Sequence, residues 1–388
     1  MRPAHGQITP DGSTLPNVLV FRRELLRYSE TFIANQAKAL QRYTPHLVGT
    51  RRADLPPLEL GVDASLLMPT RLAKVSEFDL LHGVAPPALR SRLRHADLVH
   101  GHFGPDAALL VRVLSRGRLR AMPFLVTFHG FDATDSDAAL RAHGRVAGSF
   151  VKARPALFRR ADTIVAVSEF VRTRLVAQGA DPGKIIVHYI GIDNGFFWTP
   201  ERSVPPPPSV LFLGRLHEKK GPADLFRALA RLGAEGLPVT CTVAGTGDEE
   251  TALRELARQL RLEVRFVGAF DARRARELLH DARALCVPSH SEGFGLVFLE
   301  AQACGVPVVS YRVGGVPEAV ADGETGLLAP ERDVEGLADR LRTVLTDDEL
   351  WLRMSGCGRR RTVEHFDLTR QTARLEDIYD ECRAAARR

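Results

Sequence analysis

Long apolar runs, paired cysteines and aromatic residues are all in short supply in this chain. No hydrophobic stretch of the 388 residues approaches the ~20 that a membrane-spanning helix needs. That excludes an integral membrane protein of the helical kind. The opening residues, MRPAHGQITPDGSTLPN, lack the apolar centre of a secretory leader, so a cytoplasmic protein is expected. The five cysteines (Cys241, Cys286, Cys304, Cys357, Cys382) are odd in number, confined to the C-terminal half and never spaced C-x-x-C. Cys241, Cys286 and Cys304 lie in apolar segments and read as small buried hydrophobes of a reducing compartment. No zinc site is expected. Aromatics make up only 7% of the chain, and no basic tail or binding motif accompanies its net charge of +6. The sequence therefore argues against a nucleic-acid binder.

What is present is a soluble composition, 45% hydrophobic and 26% charged, long enough for two domains of about 150–200 residues. Short apolar runs alternate with helix-length segments. NVLVF (17–21), PHLVG (45–49), ADLVHGH (96–102), PFLVTFHG (123–130), DTIVAVS (162–168) and KIIVHYI (184–190) read as buried strands. TFIANQAKAL (31–40) and SEFVRTRLVAQG (168–179) read as helices between them. NGFFWTPERSVPPPPS (194–209) then interrupts the pattern, because four consecutive prolines suit neither a helix nor a central strand. It is taken as the hinge. The alternation restarts with VLFLG (210–214), VTCTVAG (239–245), EVRFVG (263–268), RALCVPS (283–289) and VPVVSY (306–311).

Such repetition predicts parallel sheets covered on both faces, hence an α/β protein of two doubly wound domains facing each other across a cleft. The expected boundaries are 1–193, a linker at 194–209, 210–366, and a last amphipathic helix at 367–388. That helix carries Leu375, Ile378, Tyr379 and Cys382 on one stripe and is expected to dock back across the hinge. The arginine-rich segments LRSRLRHA (89–96) and SFVKARPALFRRAD (149–162) read first as solvated helix faces. The alternative is attraction to an anionic membrane.

Ligands of open parallel sheets bind beyond the carboxyl ends of the strands, so the residues found there carry the functional reading. Arg215 and Lys220, in RLHEKKG ahead of a helix, suit an anion, with ordinary surface charge as the plain alternative. GTGDEE (245–250) marks at least a tight turn. In SEGFGLVFLEAQACG, Gly293 and Gly295 permit close backbone approach at a helix start. Glu300 lies on the inward face of that helix, where a carboxylate is costly unless hydrogen-bonded. Either an internal arginine or the vicinal hydroxyls of a polyol would satisfy it, and Glu292 could serve a second polyol. Two carboxylates for hydroxyls with cations between them describe a sugar nucleotide.

Glu292 and Glu300, spaced E-x7-E in SEGFGLVFLEAQACGVPVVSYRVGGVPEAVADGETGLL (291–328), resemble the signature of retaining glycosyltransferases of family 4, which have the GT-B architecture of two Rossmann-like domains. GRLHEKKG (214–221), VAGTGDEE and RFVGAF follow in the order and spacing of that family. In the N-terminal half, YSETFIANQ (28–36), HGHFGPDAA (100–108) and TFHGFDAT (127–134) resemble the exopolysaccharide branch that includes colanic acid and amylovoran enzymes. The resemblance implies that Arg215 and Lys220 hold the diphosphate, with Gly214 and Gly245 beside them. It implies that Glu300 binds ribose, that Glu292 with the amides of Phe294 to Leu296 (Gly293 and Gly295 included) holds the donor sugar, and that Val267 and Gly268 contact the base. His129 matches the family's active-site histidine. His102 is a further candidate, and Ser29, Glu30 and Thr31 are placed on the acceptor side. One departure stands out: RRELLRYSET (22–31) has none of the glycines many members carry after the first strand.

The implied activity is transfer of a hexosyl-type sugar, with retention, from an NDP-sugar (a UDP-sugar by family habit) to a hydroxyl in exopolysaccharide or other cell-surface glycan assembly. No metal or other cofactor is expected, and Asp135-Ser136-Asp137 is read as a chance D-x-D. The acceptor is a lipid-linked glycan at the inner membrane face, or a small molecule such as an aminocyclitol. Rival readings are a sugar-nucleotide epimerase or phosphorylase of the same fold, and a silent donor-binding protein. No nucleic-acid partner is expected.

Overall fold

The computed structural model of the protein describes residues 14–25, 30–52, 61 and 63–386. The chain separates into two compact units. One holds residues up to Gly191 together with the returning segment from Leu368, and the other runs from Ile192 to Asp367. The proline-rich segment belongs to the second unit.

The strands of the first unit are β1 (Asn17–Phe21), β2 (Glu24–Leu25), β3 (Thr44–Gly49), β4 (Arg51–Arg52), β5 (Asp63–Leu66), β6 (Leu98–His102), β7 (Phe124–Phe128), β8 (Thr163–Ala166) and β9 (Ile185–Val187). Seven form one parallel sheet in the order β5-β3-β1-β6-β7-β8-β9, and β2 pairs with β4 beside it. Every residue of β6 and β7 is buried, as a strand covered on both faces should be. The order reverses between β1 and β6. In open α/β sheets that switch point opens a crevice at the carboxyl ends of the strands.

The final helix, Leu368–Ala385, packs on this unit. Its stripe Leu375, Ile378, Tyr379 and Cys382 is buried with Val18, Val20, Ile33, Leu40 and Leu98. Burying Leu375 and Ile378 contributes about 1.5–3 kcal/mol for each side chain. Glu376 accepts hydrogen bonds from the backbone N–H groups of Gln41 and Arg42 at 2.7 and 2.6 Å, fixing the helix along its axis.

The second unit has β10 (Ser209–Leu213), β11 (Thr240–Ala244), β12 (Val264–Gly268), β13 (Ala284–Cys286), β14 (Val308–Tyr311) and β15 (Gly326–Ala329). They form one parallel sheet in the order β12-β11-β10-β13-β14-β15, with the switch between β10 and β13. Its strand ends crowd together: a Cβ on Gly245 (φ +144°) would lie 1.8 Å from the Gly214 carbonyl oxygen. Gly245 and Gly268 are also joined by a 2.8 Å backbone hydrogen bond. GTGDEE is therefore the point where neighbouring strand ends touch.

Candidate functional site

Each unit gathers chemistry at its own switch point. In the first, Arg22 follows β1 and is buried. Its Nε and one Nη donate to the two oxygens of Glu30 at 2.8 and 2.7 Å, and its other Nη donates to Asp106. Burial alone would lower the guanidinium pKa, but Asp106 and Glu30 outweigh it and hold the charge in place. The carboxylate of Glu30 is thus committed to Arg22, and Thr31 begins the helix Thr31–Ala39 half-buried beside it. Ser29 lies outside the described residues.

The guanidinium of Arg22 sits 4.4 Å over the ring of Phe103, whose backbone takes the unusual φ of +64°. Phe103 in turn lies 4.4 Å from the ring of His129, just beyond β7. His102 ends β6, and its Nδ1 is 3.0 Å from His129 Nε2. Among the described residues His129 Nδ1 has no hydrogen-bond partner. His100, two residues back on the same strand face, is held by Thr127 Oγ1 and by the Tyr379 hydroxyl, both at 2.7 Å, and its ring lies 4.1 Å from that of His102. Burial, then the neighbouring imidazoles and, for His102 and His129, Arg22, keep all three well below the ordinary histidine pKa. They are neutral at pH 7, so one nitrogen of the His102–His129 contact donates and the other accepts.

The motif reading missed Asp132. Fully buried, it accepts from the backbone N–H groups of Gly104 (2.9 Å), Gly130 (2.9 Å) and His129 (3.1 Å). Burial nevertheless pushes its carboxyl up to about 6. It staples the turn carrying His129 to the turn that follows His102. The HGFD run was its signal in the sequence. Arg22, Asp106, His100 and Tyr379 were also missed, because only the fold brings 22, 100, 106 and 379 together.

In the second unit Arg215 is exposed at the end of β10. Lys220 closes a turn into Gly221 (φ +66°), where a Cβ would meet the Pro288 carbonyl oxygen at 2.1 Å. Only glycine lets this turn lie against the end of β13. Lys220 Nζ is 2.5 Å from Glu292 Oε2, so the predicted phosphate and sugar ligands are paired with each other. The backbone of Glu292 is held by a hydrogen bond from Gly315 N–H at 3.0 Å. Gly295 (φ +94°) caps the helix Leu296–Ala303, and Phe294 turns its buried ring toward Phe366. Gly293 is buried, whereas Val267 and Leu296 are half-buried at the strand and helix ends.

Glu300 lies one turn into that helix, half-buried. Among the described residues its carboxylate has neither a hydrogen bond nor an ion pair, while its backbone carbonyl accepts from Cys304 N–H at 3.1 Å. Burial raises the carboxyl to about 7. Among the described residues no arginine pairs with it, so the structural explanation by an internal arginine is not met. His290, also missed, has Nε2 3.4 Å from Asp224 and a buried Nδ1 that has no hydrogen-bond partner among the described residues; Asp224 also accepts from the Tyr311 hydroxyl at 3.1 Å. Asp135-Ser136-Asp137 has local duties: Ser136 caps the helix Asp137–Ala142, Asp135 pairs with His143 at 2.9 Å, and Asp137 with Arg154 at 2.8 Å. All five cysteines are free, and Cys241, Cys286, Cys304 and Cys382 are buried.

Comparison with known proteins finds two family models in tandem. Residues 29–196 match "Glycosyltransferase Family 4", and residues 199–361 match "Glycosyl transferases group 1". A glycogen synthase of Mycobacterium tuberculosis is 33% identical over 291 residues, covering 73% of this chain and 68% of that protein. A D-inositol 3-phosphate glycosyltransferase of a Nocardioides species is 30% identical over 319 residues, covering 76% and 69%. WcaL of Salmonella typhimurium, whose name places it in colanic acid biosynthesis, is 32% identical over 255 residues, covering 63% and 61%. Among solved structures, Anabaena HepE in complex with UDP and glucose has a TM-score of 0.75 at 19% identity, covering 94% of this chain and 99% of that one. Sucrose-phosphate synthase of Thermosynechococcus elongatus has 0.76 at 20%, covering 95% and 100%.

Proposed function

The chain belongs to the family 4 glycosyltransferases of the GT-B fold, and on that premise we propose that it moves a hexosyl-type sugar from an NDP-sugar to a hydroxyl acceptor with retention. The observation that carries the donor reading is Glu300, a half-buried carboxylate on the otherwise largely apolar helix Leu296–Ala303 and, among the described residues, not ion-paired to any cation. A ribose diol donating two hydrogen bonds would answer that need. Arg215 and Lys220 take the diphosphate, aided by the N-terminus of the helix Pro222–Ala234. Lys220 then turns from Glu292 to phosphate, freeing Glu292 and the amides from Phe294 to Leu296 for the sugar. Val267 and Gly268 meet the base. A uridine donor is supported by the UDP-bound relative of the same fold, and cell-surface glycan assembly by the colanic acid relative.

In the transfer step, the bond from the anomeric carbon to the phosphate oxygen breaks and its electron pair leaves with the diphosphate. The acceptor oxygen forms its bond on the same face, and its proton passes to the departing phosphate. Fixed cations beside that oxygen stabilise the charge as it develops. The neutral His129–His102 pair serves the transfer by hydrogen bonding through the unpartnered His129 Nδ1. Glu30 acts on the acceptor side indirectly, through Arg22, with Thr31 and Ser29 following it. No step requires a metal ion.

A donor screen that measures nucleotide release tests this reading. Release should appear with one or more NDP-sugars, resist a chelator, and fall at least about a hundredfold in His129→Ala and Glu292→Ala. Release unchanged in both variants would remove the assignment, and strong chelator inhibition would overturn metal independence.

A further inference from the structure

Charge is divided unevenly between the two units. Residues 1–191 and 368–388 contain 31 Lys and Arg against 20 Asp and Glu, a net of +11, whereas residues 192–367 contain 22 against 27, a net of −5. The helix Ala73–Leu81 of the basic unit has an unusual outward face. It buries Ala73, Ser76, Glu77 and Leu80, which share one side. On and around the opposite side Leu72, Val75, Phe78 and Val84 are 39, 47, 55 and 52% exposed. Such a row of large apolar side chains in water marks an interaction surface.

The surroundings say what kind. Lys74 on this helix and Arg71 in the turn just before it are exposed. Its acid Glu77 is turned inward, within 3.4 Å of Arg51 and 3.2 Å of Thr50, and only half-buried Asp79 lies at the edge. Arg116 donates to the carbonyls of Gly83 and His82 at 2.7 and 3.2 Å. That tie brings alongside the segment Gly117–Ala121, whose Arg118 and Arg120 are exposed. Apolar side chains standing out from a helix, rimmed by cations with almost no acid among the described residues around them, match a sheet of anionic headgroups over an acyl interior. A protein partner would need a cleft shaped to Phe78 and Val75, whereas a bilayer accepts a protruding ridge without one.

We propose that this ridge seats the first unit on the surface of an anionic lipid bilayer, with Val75 and Phe78 entering below the headgroups while the surrounding arginines and lysine contact phosphate. Among the described residues no helix is long and apolar enough to cross a membrane, so the attachment is peripheral. The inference deepens the glycan-assembly reading by bringing the enzyme to a lipid-borne acceptor. It is tested without any sugar, so it can fail while donor turnover stands.

The experiment is co-sedimentation of the full chain with vesicles of phosphatidylcholine alone or with phosphatidylglycerol at about thirty mole per cent, whose negative surface attracts the cations. The protein should partition to the anionic vesicles, and less so as salt is raised. Val75→Ser with Phe78→Ser, and separately Arg118→Glu with Arg120→Glu, should each lower partitioning about tenfold or more while donor turnover and melting temperature hold. Equal binding to neutral vesicles, no binding to either, or unchanged binding in both variants would overturn the proposal. So would loss of self-association in the serine variant with vesicle binding intact, which would make the ridge a contact between copies of this chain.

Discussion

Glu300 and Asp132 are both carboxylates whose pKa burial raises, Asp132 fully enclosed and Glu300 half-buried, and they do opposite things with that condition. Asp132 spends its oxygens on three backbone N–H groups. Asp132→Asn would turn an amide N–H toward the N–H of Gly104, setting donor against donor. It should cost about 1–3 kcal/mol in chemical denaturation and lower kcat more than donor affinity, since the His129 turn shifts. Glu300 has no such partners, and its pKa of about 7 lies above the unfolded value near 4.5. The unfolded chain therefore releases this proton first as pH rises, so folding stability falls between about pH 4.5 and 7 and levels off above. Glu300→Gln should remove that decline and be about 1–2 kcal/mol more stable than the parent at pH 8, measured by urea titration. Donor affinity should move the other way. Ionised Glu300 accepts both ribose hydroxyls, so binding should tighten from pH 6 to 8 in the parent and stay flat in the glutamine variant.

At the scale of elements, the second unit depends on turns that let strand ends and helix starts come within contact. Gly221→Ala would force a Cβ into the Pro288 carbonyl at a left-handed φ and push Lys220 off the end of β13. A loss of at least about 2 kcal/mol in stability, and a larger loss of nucleotide affinity than of acceptor affinity, should follow. The returning helix has an equivalent single point in Tyr379. Tyr379→Phe keeps the packing but leaves a nitrogen of His100 buried without its partner, costing about 1–3 kcal/mol and disturbing the ring against which His102 lies. The strand runs that build both sheets were legible because buried parallel strands are continuous in apolar residues. β5, with the sequence DASL, and β15, with GLLA, were not: the first is half-buried throughout and the second begins on a glycine. The stripe on the last helix was legible from its period, but the imidazole that Tyr379 meets was not, since 279 residues separate them.

Taken whole, the chain is two units of opposite net charge, each built on one large parallel sheet with polar side chains gathered where its strand order reverses. The turns of the second unit were legible from glycine spacing, because close backbone approach and positive φ restrict residue type. The imidazole cluster was half legible: His129 and His102 stand in motifs, whereas Arg22 and Asp106 pair only once β1 and β6 are neighbours. After β1, where the sequence carries no glycine, Arg22 lies in a buried ion-pair cluster with Glu30 and Asp106. The central claim is that the second unit holds a nucleoside diphosphate-sugar between Arg215, Lys220, Glu292 and Glu300. Calorimetric titration of the full chain with UDP and a UDP-sugar tests it most directly. Micromolar binding that weakens at least about tenfold in Lys220→Ala and again in Glu300→Ala is the predicted result. Affinity unchanged in both variants would contradict it.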